Sequence, residues 1–571
     1  MNKIYKFIAA GVLTAVSVVS CDSILDKSQL DSFEDGNFWS GEGNVESYAN
    51  TFFNQFLGYG NGGGSGSFYF PTLNDNQAGS SFRDWNYSNY VVTNSSWTSG
   101  YKEIRRANIM INRVEGMSSL TDAQKKHWIG VARLMRGLEY YWLVRQFGDV
   151  PLISAELKTN SPELYGERID RDLVMDSVLE DLNAAVSDIT STSKVSWSKD
   201  LANAIKSEIC LYEGTFCKYR SVTDKQKAPD DNRAKKFLEE CKTASSAIMG
   251  NSAYKLSSDY NSTYNSIDLG NNTEVILYKH YVKDVMHHSL VDYTCSSTEM
   301  SGMNKDAFDS YLFIDGLPKS VTSKDKSDKG VLDGNIIDIS NVLSVRDPRL
   351  GKVIDNKLGY TSNEGFKRYS DRKDGMLMTS STGYTVCKFD TKELDNGYRD
   401  QTSKNYTDAP IYWLSVIYLN YAEACAELGN CSQHDLDISL NLLRDRVGMP
   451  HMTVAPVADT DNDMNVGNLI WEIRRERRVE LMFDNDFRFW DLVRWHQLDK
   501  LDSSKNPDIF LGANVSSDTA IDTKATAKKG DYIDASRNGV RKYDAKYYLY
   551  PIPTSQILLN KNLSQNPGWE E

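Results

Sequence analysis

Residues 121–151 read TDAQKKHWIGVARLMRGLEYYWLVRQFGDVP. Thr121 with Gln124 three residues on is a capping box, which predicts a helix start. Trp128, Ala132, Met135, Glu139 and Trp142 then fall on one stripe, and Gly148 with Pro151 ends the run. The same period recurs at Val174, Val178, Leu182, Ala185 and Ile189. It continues at Leu201, Ile205, Ile209, Tyr212, Phe216 and Tyr219, and at Ala234, Leu238, Cys241, Ser245 and Ile248 before Gly250. Much later, Leu414, Tyr418, Tyr421, Cys425 and Leu428 precede Gly429, and Leu436, Leu440, Leu443 and Val447 precede Gly448. Short helices joined by short turns predict a mainly α fold of stacked antiparallel pairs, an α/α superhelix of tetratricopeptide type. No clean repeat of about 34 residues is visible.

Two stretches break this period. Residues 58–96 are rich in Gly, Asn, Ser and aromatics, and residues 255–405 are polar and turn-rich. Loops this long inside a compact domain are usually functional, and their Tyr and Trp content argues against full disorder. The helical parts then fall at about 97–250 and 410–450, within a single domain of residues 41–571.

The amino terminus carries its own pattern. Lys3 and Lys6 precede an apolar run from Phe7 to Val19, shorter than the ~20 residues that span a bilayer as a helix. A basic start, a short apolar core and small residues at its end describe a secretory signal, residues 1–20. Val18-Val19-Ser20-Cys21 resembles a bacterial lipobox, so Cys21 is the expected lipidation site and residues 21–40 the tether. Two or more acyl chains hold a protein firmly to a membrane.

Net charge is −13, and removing Lys3 and Lys6 with the signal leaves −15. That excludes a general nucleic-acid binder, since phosphate contacts need Lys and Arg. Of the eight cysteines none forms a C-x-x-C, which excludes a zinc ribbon or thioredoxin-like site. Cys210, Cys241 and Cys425 fall on apolar helical faces and read as small core residues.

Gly60, Gly62, Gly63, Gly64 and Gly66 lack the Lys-Ser/Thr that a phosphate loop needs and read as a flexible loop. There is no H-E-x-x-H among the seven histidines, so no catalytic metal or cofactor is expected. His287 and His288 read as a solvent-facing or ligand-touching pair. Calcium held by loop Asp and Asn stays open. The densest charge cluster, residues 472–480 (EIRRERRVE), puts Ile470, Ile473, Arg477, Glu480 and Leu481 on one helical face, with Arg477 and Glu480 as an i, i+3 pair. A glycosidase would use Glu476 and Glu480 as its acid pair, but it needs one carboxyl with a raised pKa. Four arginines in the same two turns favour ionisation of both, so the cluster reads as a structural ion-pair network without catalytic residues.

The exposed-aromatic candidates lie in the irregular stretches: Phe68, Tyr69, Trp85, Tyr87 and Tyr90, then Tyr281 and Tyr293. Their faces could stack on sugar rings, with Asp75, Arg83 and Asn89 holding hydroxyls and His287 as a further ligand contact.

Together these features resemble the SusD/RagB family of Bacteroidetes outer-membrane lipoproteins. The likeness runs from Cys21–Lys27 through 104–108 (IRRAN), 132–141 (ARLMRGLEYY), 147–152 (FGDVPL), 311–318 (YLFIDGLP), 346–350 (RDPRL) and 419–424 (LNYAEA). It is strongest over 474–481 (RRERRVEL) and 491–495 (DLVRW), and closes with 550–553 (YPIP) and 565–568 (QNPG). The resemblance implies about four tetratricopeptide-like helix pairs beside a loop-rich half that carries the ligand site. It implies a surface-exposed, lipid-anchored glycan-binding protein of the outer membrane, acting as lid of a SusC-like TonB-dependent transporter that the helical pairs contact. Some relatives imply peptide as the alternative ligand.

Overall fold

The computed structural model describes residues 38–85, 91–194, 196–295, 301–362, 365–366 and 379–570. Cys21 and its tether as far as residue 37, together with Tyr87, Asn89 and Tyr90, lie outside the described residues.

The chain is mainly helical. After α1 (Glu42–Asn50) come α2 (Ser95–Gly116), α3 (Asp122–Phe147), α4 (Arg171–Asp188), α5 (Lys199–Tyr219) and α6 (Asp231–Met249). Each of α2 to α6 begins at a side chain that accepts from a first-turn N–H: Asn94, Thr121, Asp170, Ser198 and Asp230. These caps satisfy N–H groups that have no partner inside the helix. At Thr121 the predicted box closes both ways: its N–H donates to Gln124 Oε1 at 2.9 Å and its hydroxyl accepts from Gln124 N at 3.3 Å. Gly148 ends α3 at φ +71, a conformation that favours glycine.

α3 lies between α2 and α4, and α5 packs along α6. The short turn between α2 and α3 makes them antiparallel neighbours. α7 (Leu414–Glu427) then covers α6, and α9 (Asn468–Glu480) covers α7; α8 (Leu440–Val447) precedes α9 and α10 (Phe487–Arg494) follows it. One expected stripe is two elements. Leu436 belongs to a separate turn, Gln433–Asp437, capped by Ser432, and Ser439 (φ −136, ψ −97) breaks the helix before Leu440.

The irregular half is clipped to the helices by short antiparallel pairs. β1 (Gln77–Gly79) pairs with β3 (Ser301–Met303), and β2 (Val275–Lys279) with β4 (Ala409–Trp413), which runs directly into α7. This half is also packed: Tyr260, Tyr264, Phe308 and Tyr311 are buried in the same apolar cluster as the helices. Tyr59 at its centre touches the rings of Phe68, Tyr281, His288 and Phe389. Among the described residues no helix is long and apolar enough to cross a membrane.

Candidate functional site

The charge cluster of α9 is buried and held in ion pairs. Arg349 reaches Glu476 at 2.6 Å, Glu480 at 3.0 Å and Asp347 at 2.7 Å. Arg444 holds the other side of Glu476 at 2.8 Å, while Arg446 bridges Glu480 and Glu274. Arg477 does not pair with Glu480. It binds Asp491 of α10 at 2.9 Å and Asn420 of α7 at 2.8 Å, because tertiary partners aim at its planar fork better than an i+3 neighbour does. Burial pushes Glu476 and Glu480 up, but Arg349 with Arg444, and Arg446 with Arg349, outweigh it and hold both below the ordinary carboxylate range. Neither carboxyl suits a proton donor, so the cluster is structural.

Several expected binding residues are structural as well. Asp75 is 1% exposed and takes two 2.7 Å bonds from Arg488. Burial raises its pKa, but Arg478 and Arg488 reverse the effect and leave it well below the usual value. Tyr281 is buried, and its hydroxyl donates to Gly60 O at 2.7 Å. Trp85 is buried against Tyr547, ring centroids 4.5 Å apart, and its Nε1 donates to Lys542 O at 2.5 Å. Phe68 and Tyr69 are buried too. These rings pin the loops to the body, where long-range neighbours cover them. The His pair splits: His288 is fully buried on Thr407 and pushed down to about 3 by burial, while His287 is half-buried. Arg83 is exposed, and its carbonyl accepts from Arg541 at 2.7 Å.

His287 and Tyr293 are brought together with the glycine-rich loop; Arg83 and Trp85 pack instead against residues 541–547. Gly60 (φ +91) and Gly62 (φ +82) turn the loop as side-chain-bearing residues would resist. The loop is docked and held in place. Gly62 N donates to His287 O at 2.8 Å, and Ser289 Oγ bridges Gly62 O and Ser403 N, each at 2.7 Å. His287 Nε2 accepts from Asp284 N at 2.8 Å, and Tyr398 donates to Asp284 at 2.9 Å. Lys283 sits 4.3 Å from the Tyr398 ring centroid. Tyr398 and Tyr406 meet edge to face at 5.5 Å, as Phe70 and Tyr293 do at 5.6 Å. All four rings are half-buried. A rigid face with open rings, beside Lys283, Asp284 and His287, offers stacking surface and hydrogen-bonding groups together. Phe70, Tyr398 and Tyr406 were not among the expected residues; a position in a turn-rich stretch marked only Phe70 and Tyr398.

With this geometry in view, the model of the SusD family matches residues 257–569, over half of the chain. The chain belongs to the SusD family. A second model, described as starch-binding associating with outer membrane, matches residues 61–211 of this SusD-family chain. A SusD-like protein of Bacteroides ovatus is 23% identical over 508 residues, covering 84% of this chain and 81% of the relative. A SusD-like carbohydrate-binding protein of Bacteroides fragilis superposes with a TM-score of 0.69 at 21% identity, over 92% of this chain and 100% of that one. A laminarin-binding SusD-like protein superposes at 0.55 with 18% identity, over 93% and 100%. Gly62 and Phe70 fall within the 61–211 match, and Tyr293, Tyr398 and Tyr406 within the 257–569 match.

Proposed function

We propose that this SusD-family chain binds glycan on the loop face, without catalysis, and delivers it to a SusC-like TonB-dependent transporter of the outer membrane. The observation that carries the reading is the set of half-exposed rings around the docked glycine loop. The carbohydrate- and laminarin-binding relatives support it. Cys21 holds the chain to the membrane through its lipids, and the body acts as the transporter's lid. A partner on the helical side is supported by an apolar groove of about 370 Å³ between α2 and the 151–165 segment, where Leu164, Tyr165 and Leu559 stand exposed.

An oligosaccharide array probed with the full-length protein in detergent tests the ligand class. Tyr293→Ala and Tyr398→Ala are each expected to weaken a hit by about 1–2 kcal/mol, roughly tenfold, with the helical circular dichroism unchanged. Binding that survives both changes removes the loop face as the site. Release of soluble sugar by the purified protein overturns the non-catalytic reading.

A further inference from the structure

A cleft of about 590 Å³ opens between α2, α3, α5 and α10, with the 55–71 segment as one wall. It lies outside every residue expected to bind ligand. Ser95, Ser96 and Ser99 stand exposed at its rim, and Trp142, Trp490 and Tyr550 line it as half-buried rings.

Its polar groups are poorly matched to one another. Glu139 of α3 is 3% exposed, yet its Oε1 has no hydrogen-bond partner; the same holds for the hydroxyl of Tyr212 on α5, also 3% exposed. Buried groups left unmatched cost stability, so each one in a native structure needs a partner or a role. Glu208 and Asp486 line the same space. Tyr412 donates to Glu208, and Trp490 to Asp486. Asp491 is already held by Arg477 and Arg494. Glu208 and Asp486 share a nearby cation, Arg145, whose guanidinium lies 4.1 Å from the Trp490 ring centroid, donates to the Tyr141 hydroxyl at 3.4 Å and keeps an unmatched Nε, whereas Glu139 is near Arg106. Burial raises all three carboxyls, Asp486 to about 7; Arg145 offsets part of this at Glu208 and Asp486, and Glu103 adds to it at Glu139.

We propose that this cleft binds a small organic molecule through a cationic nitrogen, an ammonium or guanidinium, placed among Glu139, Glu208 and Asp486. An anion would meet three carboxyls, and a neutral ligand would supply no charge to favour their ionised form, which a cation does. A bare metal ion does not suit the spacing. Among the described residues the only trio with donor atoms within 4.8 Å of one another is Asp172, Glu213 and Cys217, elsewhere in the fold. A ligand of several atoms can reach carboxyls set farther apart, and the rings of Trp142 and Tyr212 suit the face of a cation or its carbon frame. The site is independent of the glycan-binding face.

Calorimetric titration of the full-length protein in detergent tests this with three probes: methyl glucosaminide, lysine amide and, as the neutral control, methyl glucoside. At least one amine is expected to bind at least tenfold tighter than the glucoside. Glu139→Gln and Glu208→Gln are each expected to lose tenfold or more of that affinity while the melting temperature stays level or rises, because the neutral isostere replaces a carboxyl whose ionised form its surroundings disfavour. Binding of the glucosaminide alone identifies an amino sugar, and of the lysine amide alone a basic peptide; both support the site. Failure of both amines, equal binding of the glucoside, or affinity that survives both substitutions overturns it. Tyr293→Ala is expected to leave amine binding unchanged, so loss of this site and loss of the glycan face are separately visible.

Discussion

Asp486 occupies the left-handed region at φ +55 and lines the cleft between α2, α3, α5 and α10. Burial raises its carboxyl to about 7, against the pull of Arg145. In the unfolded chain it ionises near the usual value of about 4. A raised folded pKa stabilises fully below the unfolded value, and that stability is lost as pH climbs through the folded value. Asp486→Asn is therefore expected to match the parent near pH 4 and to become progressively more stable than it up to about pH 7. Asn tolerates a positive φ as well as Asp does, so the backbone does not confound the comparison. Melting curves across that pH range check it; a constant difference defeats it. Asp75 runs the opposite way. Its lowered pKa contributes stability above the unfolded value and loses it in acid. The two carboxyls look alike in sequence. They differ because Arg488 meets Asp75 with two hydrogen bonds, while Asp486 has Arg145 only at a distance.

At the scale of elements, caps and spacing were legible and contacts between helices were not. Thr121 and Gln124 announce the start of α3 because a capping box is local. Gly214 in the middle of α5 announces nothing by itself. Its reason is α6: a Cβ there would lie 2.7 Å from Leu238 Cγ and 3.1 Å from Leu238 N. Alanine would gain up to ~1 kcal/mol of helix propensity, but overpacking against a neighbouring backbone costs about 1–3 kcal/mol. Gly214→Ala is therefore expected to destabilise, measured as a lower urea midpoint with an unchanged slope. A stabilised variant would mean that α5 and α6 can part without penalty. The same separation of local from distant information explains α9. Its sequence announces a dense helical ion cluster, but the partners that neutralise it, Arg349, Arg444, Arg446 and Asp491, come from elsewhere in the chain.

For the whole molecule, one buried core joins the helices to the irregular half, so loop face and helical face are rigidly related surfaces of one body. Exposed Leu559 at the apolar groove lies far along the chain from Tyr293, and the two surfaces should fail separately. If the proposed SusC-like transporter docks on this groove, Leu559→Glu is expected to reduce co-purification with it at least tenfold while oligosaccharide affinity stays constant. Loss of both, or of neither, removes the groove as the docking surface. Sequence alone determined the helical period, the caps, the absence of a metal or phosphate motif and the likeness to the SusD family, because these lie in local spacing and in the order of short motifs. The tertiary structure alone decided that Asp75, Trp85 and Tyr281 are buried, that Tyr293 joins Phe70 at the surface, and that Glu139 faces a cleft. Burial is set by neighbours far away in the chain: Arg488 for Asp75, Lys542 and Tyr547 for Trp85, and the walls from α2, α5 and α10 for Glu139.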